Sequence, residues 1–364
     1  MKNLLEKDGT QSFIASIICI ILGLFIGFVV LLFINPTGAA TAIITVIKNF
    51  LYYPSGAAKM KYFGNTLVKT APLLMCSLSI LFAYKVGLFN IGASGQYTAG
   101  TCVALYCSLK FGMGWIPCIL LAIVAGAFMG AIVGVLKSRF NVNEVISGIM
   151  LNWIMLYLCN MILSNVKEST SPYTYNLMLT APQAVIPSLG LDKLFANNTY
   201  VGIAIPISII FAILVYILLE KTTLGYELKA SGFNKHAAKY AGMNGKRNII
   251  LTLAISGGLA ALGAGLFYLT GFEQWQCSAS SVPAMGFNGI AAAFLGGLSP
   301  IGSIFSSFFI QHITSGGAYV DKTMYCAQIS DLISSIIIYL CGFVLFLKMS
   351  MAKIAAKKSK GGEE

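Results

Sequence analysis

The chain has 364 residues, 57% of them apolar and 10% charged, with 24 Lys and Arg against 12 Asp and Glu for a net charge of +12. Soluble domains average roughly 45–50% apolar and about 25% charged residues, so this composition excludes a soluble globular protein and a disordered one alike. Excess base can signal nucleic acid in a soluble protein, but in a membrane protein it collects in cytoplasmic loops, so the expected partner is the lipid bilayer and not nucleic acid.

The first apolar run, Phe13 to Ile34, holds 22 uncharged residues. As a helix it would be about 33 Å long. A signal peptide has a core of roughly 7–15 residues and a small-residue cleavage site, so this run is expected to stay as a first span behind a short cytoplasmic segment, residues 1–12. Apolar runs follow at Thr66–Tyr84, Val86–Leu109, Trp115–Leu136 and Val145–Leu163. The second half offers Tyr200–Leu219, Ile249–Phe272, Gly286–Leu298, Ile301–Ile313 and Ile329–Leu347. Between Gln274 and Val320 lie 47 residues without one Asp, Glu, Lys or Arg. That is too long for one span, and Gly296-Gly297-Leu298-Ser299-Pro300 supplies a break, so two short helices joined by a tight turn are expected. The fold class is an all-α polytopic membrane protein of about ten transmembrane helices over residues 13–347.

Seven of the nine cysteines, Cys19, Cys76, Cys102, Cys107, Cys118, Cys159 and Cys341, fall inside apolar runs, and no C-x-x-C occurs. They read as small buried hydrophobes, with no metal site.

Orientation follows from the bases that flank the spans. The segment 220–248 carries Lys221, Lys229, Lys235, Lys239, Lys246 and Arg247 against Glu220 and Glu227. Lys137 and Arg139 follow the fourth run, and the tail 348–364 is rich in lysine. The stretch 164–199 instead balances Lys167 and Lys193 with Glu168 and Asp192. Ten spans with both termini cytoplasmic place the three basic segments inside and the balanced stretch outside. Lys48, Lys59 and Lys61 disagree, because this arrangement puts their loop outside.

The third run opens Gly87-Leu88-Phe89-Asn90-Ile91-Gly92 and the eighth opens Gly286-Phe287-Asn288-Gly289-Ile290. These start on opposite sides of the membrane, as a five-plus-five inverted repeat requires, and Gly-interrupted spans at matching places point toward a translocation site. Glycine also permits close helix packing anywhere in a bilayer.

No phosphate-cradling G-x-x-x-x-G-K-[ST] is present, so the chain is not expected to hydrolyse ATP itself. His236 and His312 are the only histidines, and the spans lack paired carboxylates. No catalytic residue, cofactor or metal is therefore expected, and a membrane-embedded enzyme lacks candidates. His312 reads as a satisfied interfacial group. What remains is a conduit.

Within 220–248, Asn234 can cap a helix over Lys235-His236-Ala237-Ala238-Lys239-Tyr240-Ala241, and Gly242 can end it in the left-handed conformation. Ala237, Ala238 and Ala241 would give it a smooth surface beside basic residues. A helix so short is marginal alone in water and needs neighbours or a partner. A solvated basic loop is the plain alternative.

The string from Thr222 to Asn234, continuing through Ala237 to Met243, resembles the cytoplasmic coupling loop of ABC importer permeases. FNIGASGQ, Phe89 to Gln96, is similar to a signature of the branched-chain amino acid, simple sugar and nucleoside permeases. NEVISGIMLN, Asn143 to Asn152, resembles a stretch of the nucleoside-uptake branch, and GFNGIAAAFLGGLSPIG, Gly286 to Gly302, resembles the matching element of the second half. The resemblance implies a permease in the cell membrane, driven by ATP bound to a separate ATPase subunit. It further implies a second, distinct permease chain and an extracytoplasmic substrate-binding lipoprotein. The substrate it implies is a nucleoside, with ribose-like sugars or branched-chain amino acids as alternatives on the same machinery.

By that resemblance Gly232, Asn234, Lys235, Ala237, Ala238, Tyr240, Ala241 and Gly242 would meet the ATPase, and a bulky charged side chain at Ala238 or Gly242 is expected to uncouple ATP hydrolysis from uptake. Asn90, Gln96, Asn152 and Asn288 are amides within spans, either fastening helices together or lining the path. Asn143 and Glu144 either begin the fifth span, as cap and dipole partner, or brace an inner gate beside Arg139. A competing function is a stand-alone secondary transporter or channel. Ion-coupled carriers often show intramembrane carboxylates, whereas Glu144, Glu273 and Asp331 sit near span ends.

Overall fold

The computed structural model describes residues 8–321 and scattered positions from 323 to 350. Most of the expected last span Ile329–Leu347, the tail from 351 and the first seven residues lie outside the described residues. Labelled in chain order, the helices are α1 (Asp8–Ile34), α2 (Ala39–Lys48), α3 (Gly56–Lys85), α4 (Ala93–Phe111), α5 (Trp115–Phe140) and α6 (Glu144–Leu163). After four short helical turns come α7 (Ala204–Lys221), α8 (Thr223–Phe233), α9 (Lys235–Tyr240), α10 (Gly245–Tyr268), α11 (Ala284–Leu295) and α12 (Pro300–Gly317). Six of the described helices are long and apolar enough to cross a membrane. The protein is a helical, polytopic membrane protein. Among the described residues, extended pairing is limited to two isolated bridges, Lys167 with Thr174 and Tyr173 with Gln276.

Several expected boundaries shift for local reasons. The third span does not begin at Val86: residues 86–92 are an irregular loop with Gly87 at φ +75°, and α4 starts at Ala93. The second span reaches back to Gly56, past the expected Thr66. One element, α2, was not foreseen in the first loop, since its ten residues are too few for a span. The break in the charge-free stretch is where expected. Gly297 and Leu298 adopt positive φ, and Ser299 accepts a hydrogen bond from the Gly302 amide to cap α12 behind Pro300.

The chain forms two compact units, residues 60–290 and the combination of 1–59 with 291–364. The first is built on α10. Gly126, Gly130 and Gly134 recur every fourth residue along α5 and face it. A methyl group at Gly134 would lie 2.7 Å from Ile250 Cα, and one at Gly130 would fall onto the Leu253 carbonyl. On α4, Gly100 packs equally closely on Ala261. In lipid no hydrophobic force drives helices together, so such close backbone approach and the dispersion contacts it allows must supply the association. The inner helix α4 is polar yet buried. Thr98 and Thr101 return their hydroxyl protons to the Ser94 and Tyr97 carbonyls, so they carry no unmet donor. Leu120, Val124 and Phe128 on α5, and Met150, Ile154, Tyr157 and Met161 on α6, are exposed at helical spacing and present apolar faces.

In the second unit Ser16 on α1 donates to the Leu295 carbonyl, and Ser306 on α12 donates to the Ala292 carbonyl. Asn49 Nδ2 donates to the His312 carbonyl at 3.0 Å, while His312 Nε2 lies 2.8 Å from the Ile47 carbonyl. A carbonyl only accepts, so Nε2 carries the proton and this histidine is satisfied inside the unit.

Candidate coupling surface and path

Within the segment 220–248 lie the two helices α8 and α9. Thr222 caps α8 by accepting from the Gly225 amide at 3.0 Å. Lys229 pairs with Glu220 at 2.9 Å, tying α8 to the end of α7. Two glycines then set the approach of α8. A Cβ at Gly225 would strike the Leu218 carbonyl, and one at Gly232 would strike the Val86 carbonyl. Gly232 therefore rests directly on the 86–92 loop.

Asn234 begins α9, its Oδ1 accepting from the His236 and Ala237 amides at 3.1 and 3.0 Å. Gly242, at φ +82°, ends the turn, and the Met243 amide returns to the Ala238 carbonyl. Both caps compensate for a helix of six residues, too short to persist on its own propensity. Its faces differ from the smooth surface expected. Ala238 is buried against its own chain, so a charged group there would disturb the seating of α9 rather than probe its outer contact. Lys235, Ala237, Tyr240 and Ala241 are exposed. Phe233 and Tyr240 are 96% and 94% exposed, and Tyr226 on the same segment is 67% exposed. Phe233 stands inside the motif that carried the family resemblance, but burial alone singles it out from its neighbours.

The four amides fall into two groups. Asn90, Gln96 and Ser256 meet in one buried knot: Asn90 Nδ2 donates to Gln96 Oε1 and to Ser256 Oγ at 2.7 Å each, and Gln96 Nε2 returns to Asn90 Oδ1 at 3.1 Å. Ser79 joins the knot from α3, 3.1 Å from Asn90 Nδ2. Asn152 on α6 accepts from the Gly95 amide at 2.7 Å and donates to the Ile91 carbonyl at 3.1 Å. These three amides bind the 86–92 loop to α3, α4, α6 and α10. Asn288 lies apart, half-buried, with no side-chain hydrogen bond to a described residue. Replacing Asn90 by alanine strips partners from Gln96, Ser79 and Ser256. Each buried polar group left unpaired costs roughly 1–3 kcal/mol, so the thermal unfolding of the detergent-purified variant should fall clearly below that of the parent; an unchanged transition would show that the knot carries no load.

Asn143 Oδ1 accepts from the Val145 and Ile146 amides and caps α6. Glu144 forms an ion pair with Lys137, while Arg139 is exposed and pairs with no described carboxylate. The brace at this end of α5 thus runs through Lys137.

Around α11 the hydroxyls of Ser77 and Ser94 are fully buried without a hydrogen-bond partner among the described residues. Both lie where glycines of α11 press in, Gly289 on Cys76 and Ser77 and Gly286 on Ser94. Above them Tyr97 and Tyr268 face each other with ring centroids 6.3 Å apart, and Trp275 donates its indole proton to Asn160 Oδ1 at 2.8 Å. Lys69, a lone cation inside the second apolar run, stands 5.3 Å from the Phe272 ring centroid. Beyond the end of α10, desolvation raises the pKa of the Glu273 carboxyl, and the Lys69 ammonium opposes the shift. The sequence did contain a signal for Lys69, since a charge within a span is costly and rarely idle. The aromatic partners converge only in three dimensions.

A family model described as branched-chain amino acid transport system, permease component, matches residues 62–342. The nucleoside ABC transporter permease protein NupB of Lactococcus lactis subsp. cremoris is 32% identical over 97% of this chain and 97% of its own length. The guanosine ABC transporter permease protein NupP of Bacillus subtilis is 31% identical over 81% of this chain and 85% of its own. A glucose ABC transporter permease protein of Haloferax volcanii is 31% identical over 71% and 70%. No solved structure matches.

Proposed function

The chain belongs to the family of branched-chain amino acid transport system permease components, and from that premise we propose that it is the membrane-embedded part of an importer for nucleosides. The observation that carries the substrate is the end-to-end similarity to a nucleoside permease, 32% identity over 97% of both chains. Ribose-like sugars form the second reading, favoured by the similarity to a glucose permease over 71% of the chain. A nucleoside is uncharged, with an aromatic base and a hydroxylated ribose. The hydroxyls of Ser77 and Ser94, the amide of Asn288 and the tyrosine pair suit such a solute.

In this reading the energy comes from ATP bound to a partner ATPase, a second permease chain completes the path, and an extracytoplasmic lipoprotein delivers substrate. About ten spans would form an inverted five-plus-five repeat with both termini cytoplasmic. Residues 164–199 would then lie outside, with 220–248 and 348–364 inside. Gly232, Asn234, Lys235, Ala237, Tyr240, Ala241 and Gly242, joined by Phe233, would receive the ATPase. Ala238 would seat α9 from beneath.

The push would travel through packed contacts. A displacement of α9 moves α8, Gly232 bears on the Val86 carbonyl, and the Asn90 knot ties that loop to α3, α4 and α10. Those three helices carry Ser77, Ser94, Tyr97 and Tyr268. Affinity purification of the chain from its own membrane should recover a stoichiometric ATP-binding subunit. Deleting that subunit should abolish uptake of labelled nucleoside, with excess ribose a poor competitor in the parent strain. Uptake that survives the deletion would favour a stand-alone carrier, and full competition by ribose would favour the sugar reading.

A further inference from the structure

A cavity of about 600 Å³ lies beneath α9, between the start of α10 and the 86–88 loop. That volume falls within the roughly 300–1,000 Å³ typical of small-molecule sites. We infer that it binds a small phosphate ester that also offers a hydroxyl or N–H donor. Lys235, Lys239 and Lys246 line the cavity, and none of its lining residues is acidic. Three like charges around one hollow repel each other, and an anion held among them removes that cost. Helix α10 adds directed donors. Asn244 takes the Arg247 and Asn248 amides, leaving those of Gly245 and Lys246 at the positive end of a helix of 24 residues.

The inner wall adds a second recognition element. Asn248 is 1% exposed; its Nδ2 donates to Ser231 Oγ at 2.7 Å, and its Oδ1 has no partner among the described residues. A buried carbonyl oxygen without a donor is costly and calls for one. Inorganic phosphate carries its O–H on the same small group that the lysines would hold, whereas a phosphate ester with a sugar hydroxyl or a base N–H can meet the lysines and the Asn248 carbonyl oxygen with separate groups. The ligand class is thus a hydroxylated phosphate ester, such as a nucleoside monophosphate or a phosphatidylglycerol headgroup. Because α8 and the 86–88 loop both contribute walls, an occupant would bridge the two elements proposed to carry the push. If the ligand is a nucleotide, the class of reaction that would supply it is phosphoryl transfer from a nucleoside triphosphate to a hydroxyl of the imported nucleoside, which releases the diphosphate and a proton. That physiological reading rests on the proposed cytoplasmic placement of α9; the binding itself does not.

The test uses the full chain, purified and placed in nanodiscs, with AMP, adenosine and inorganic phosphate as probes. In phosphatidylcholine discs AMP should bind saturably, with adenosine and inorganic phosphate each at least about tenfold weaker. Lys239→Gln and Lys246→Gln, both at exposed positions, should each weaken AMP roughly tenfold while thermal unfolding stays unchanged. Adding phosphatidylglycerol to the discs separates the sources. Loss of AMP binding there means the headgroup fills the site in the membrane, retention means a free metabolite does, and either result upholds the site. AMP binding no tighter than adenosine, inorganic phosphate as tight as AMP, or binding indifferent to both lysine variants would overturn it. None of these outcomes depends on transport, so failure of the nucleoside reading would leave them unaltered.

Discussion

Exchanging Phe233 and Tyr240 together for alanine is expected to cut substrate uptake at least about tenfold while the folded chain remains in the membrane. Both rings are almost wholly exposed, at 96% and 94%, on a segment whose backbone is fixed by the Asn234 cap and the Gly242 turn. Their removal takes nothing from the permease's own packing. Covered by a partner, each large apolar side chain contributes roughly 1.5–3 kcal/mol, and aromatic residues at interface centres commonly cost 2 kcal/mol or more when truncated. If the rings are covered by the proposed ATPase subunit, two such losses would weaken that association by more than about a hundredfold. Quantitative copurification checks the association, and uptake in cells checks its consequence. A double variant that holds its ATPase and transports at the parental rate would show that these rings face lipid or water instead.

Replacing Gly130 by leucine should be more severe still, because it acts on folding. A Cβ at this position would already fall on the Leu253 carbonyl, and the neighbouring Gly126 and Gly134 contacts keep α5 from sliding aside. Backbone is a poor cushion. Overpacking a dense interior by a few methylenes costs typically 1–3 kcal/mol and sometimes more, and here the α5–α10 seam must separate along its length. Membrane-inserted protein recovered as a monodisperse peak in detergent should drop to a small fraction of the parental yield. Gly130→Ala should fall between leucine and the parent. Equal yields for leucine and glycine would mean that the seam does not hold this unit together.

Much of the fold was legible because membrane spans announce themselves by uninterrupted apolar length. The break after Leu295 was legible from Gly296-Gly297 and Pro300, and the Asn234 and Gly242 ends of α9 from their side-chain and backbone preferences. The start of α4 is not visible in the sequence, because the loop before it is as uncharged as the helix. Only the hydrogen bonds of Asn90 and the positive φ of Gly87 distinguish them. Burial was the quantity least accessible from sequence. Ala237 and Ala238 are identical in type, yet one is exposed and the other turned inward. The amides Asn90, Gln96 and Asn152 could not be told from Asn288 until their partners were known. Lys69 went unmarked inside an apolar run, and its proximity to Phe272 is set by contacts across some two hundred residues of sequence.

The topology and the coupling role stand or fall on which side of the membrane carries α9. Phe233→Cys, at a position almost entirely exposed, gives a direct readout with a membrane-impermeant thiol reagent, measured above the background of the native cysteines in the parent protein. The reagent should modify the variant in inside-out vesicles and leave it untouched in intact cells. Modification in intact cells would put the aromatic knob on the outer surface, out of reach of any ATP-driven subunit.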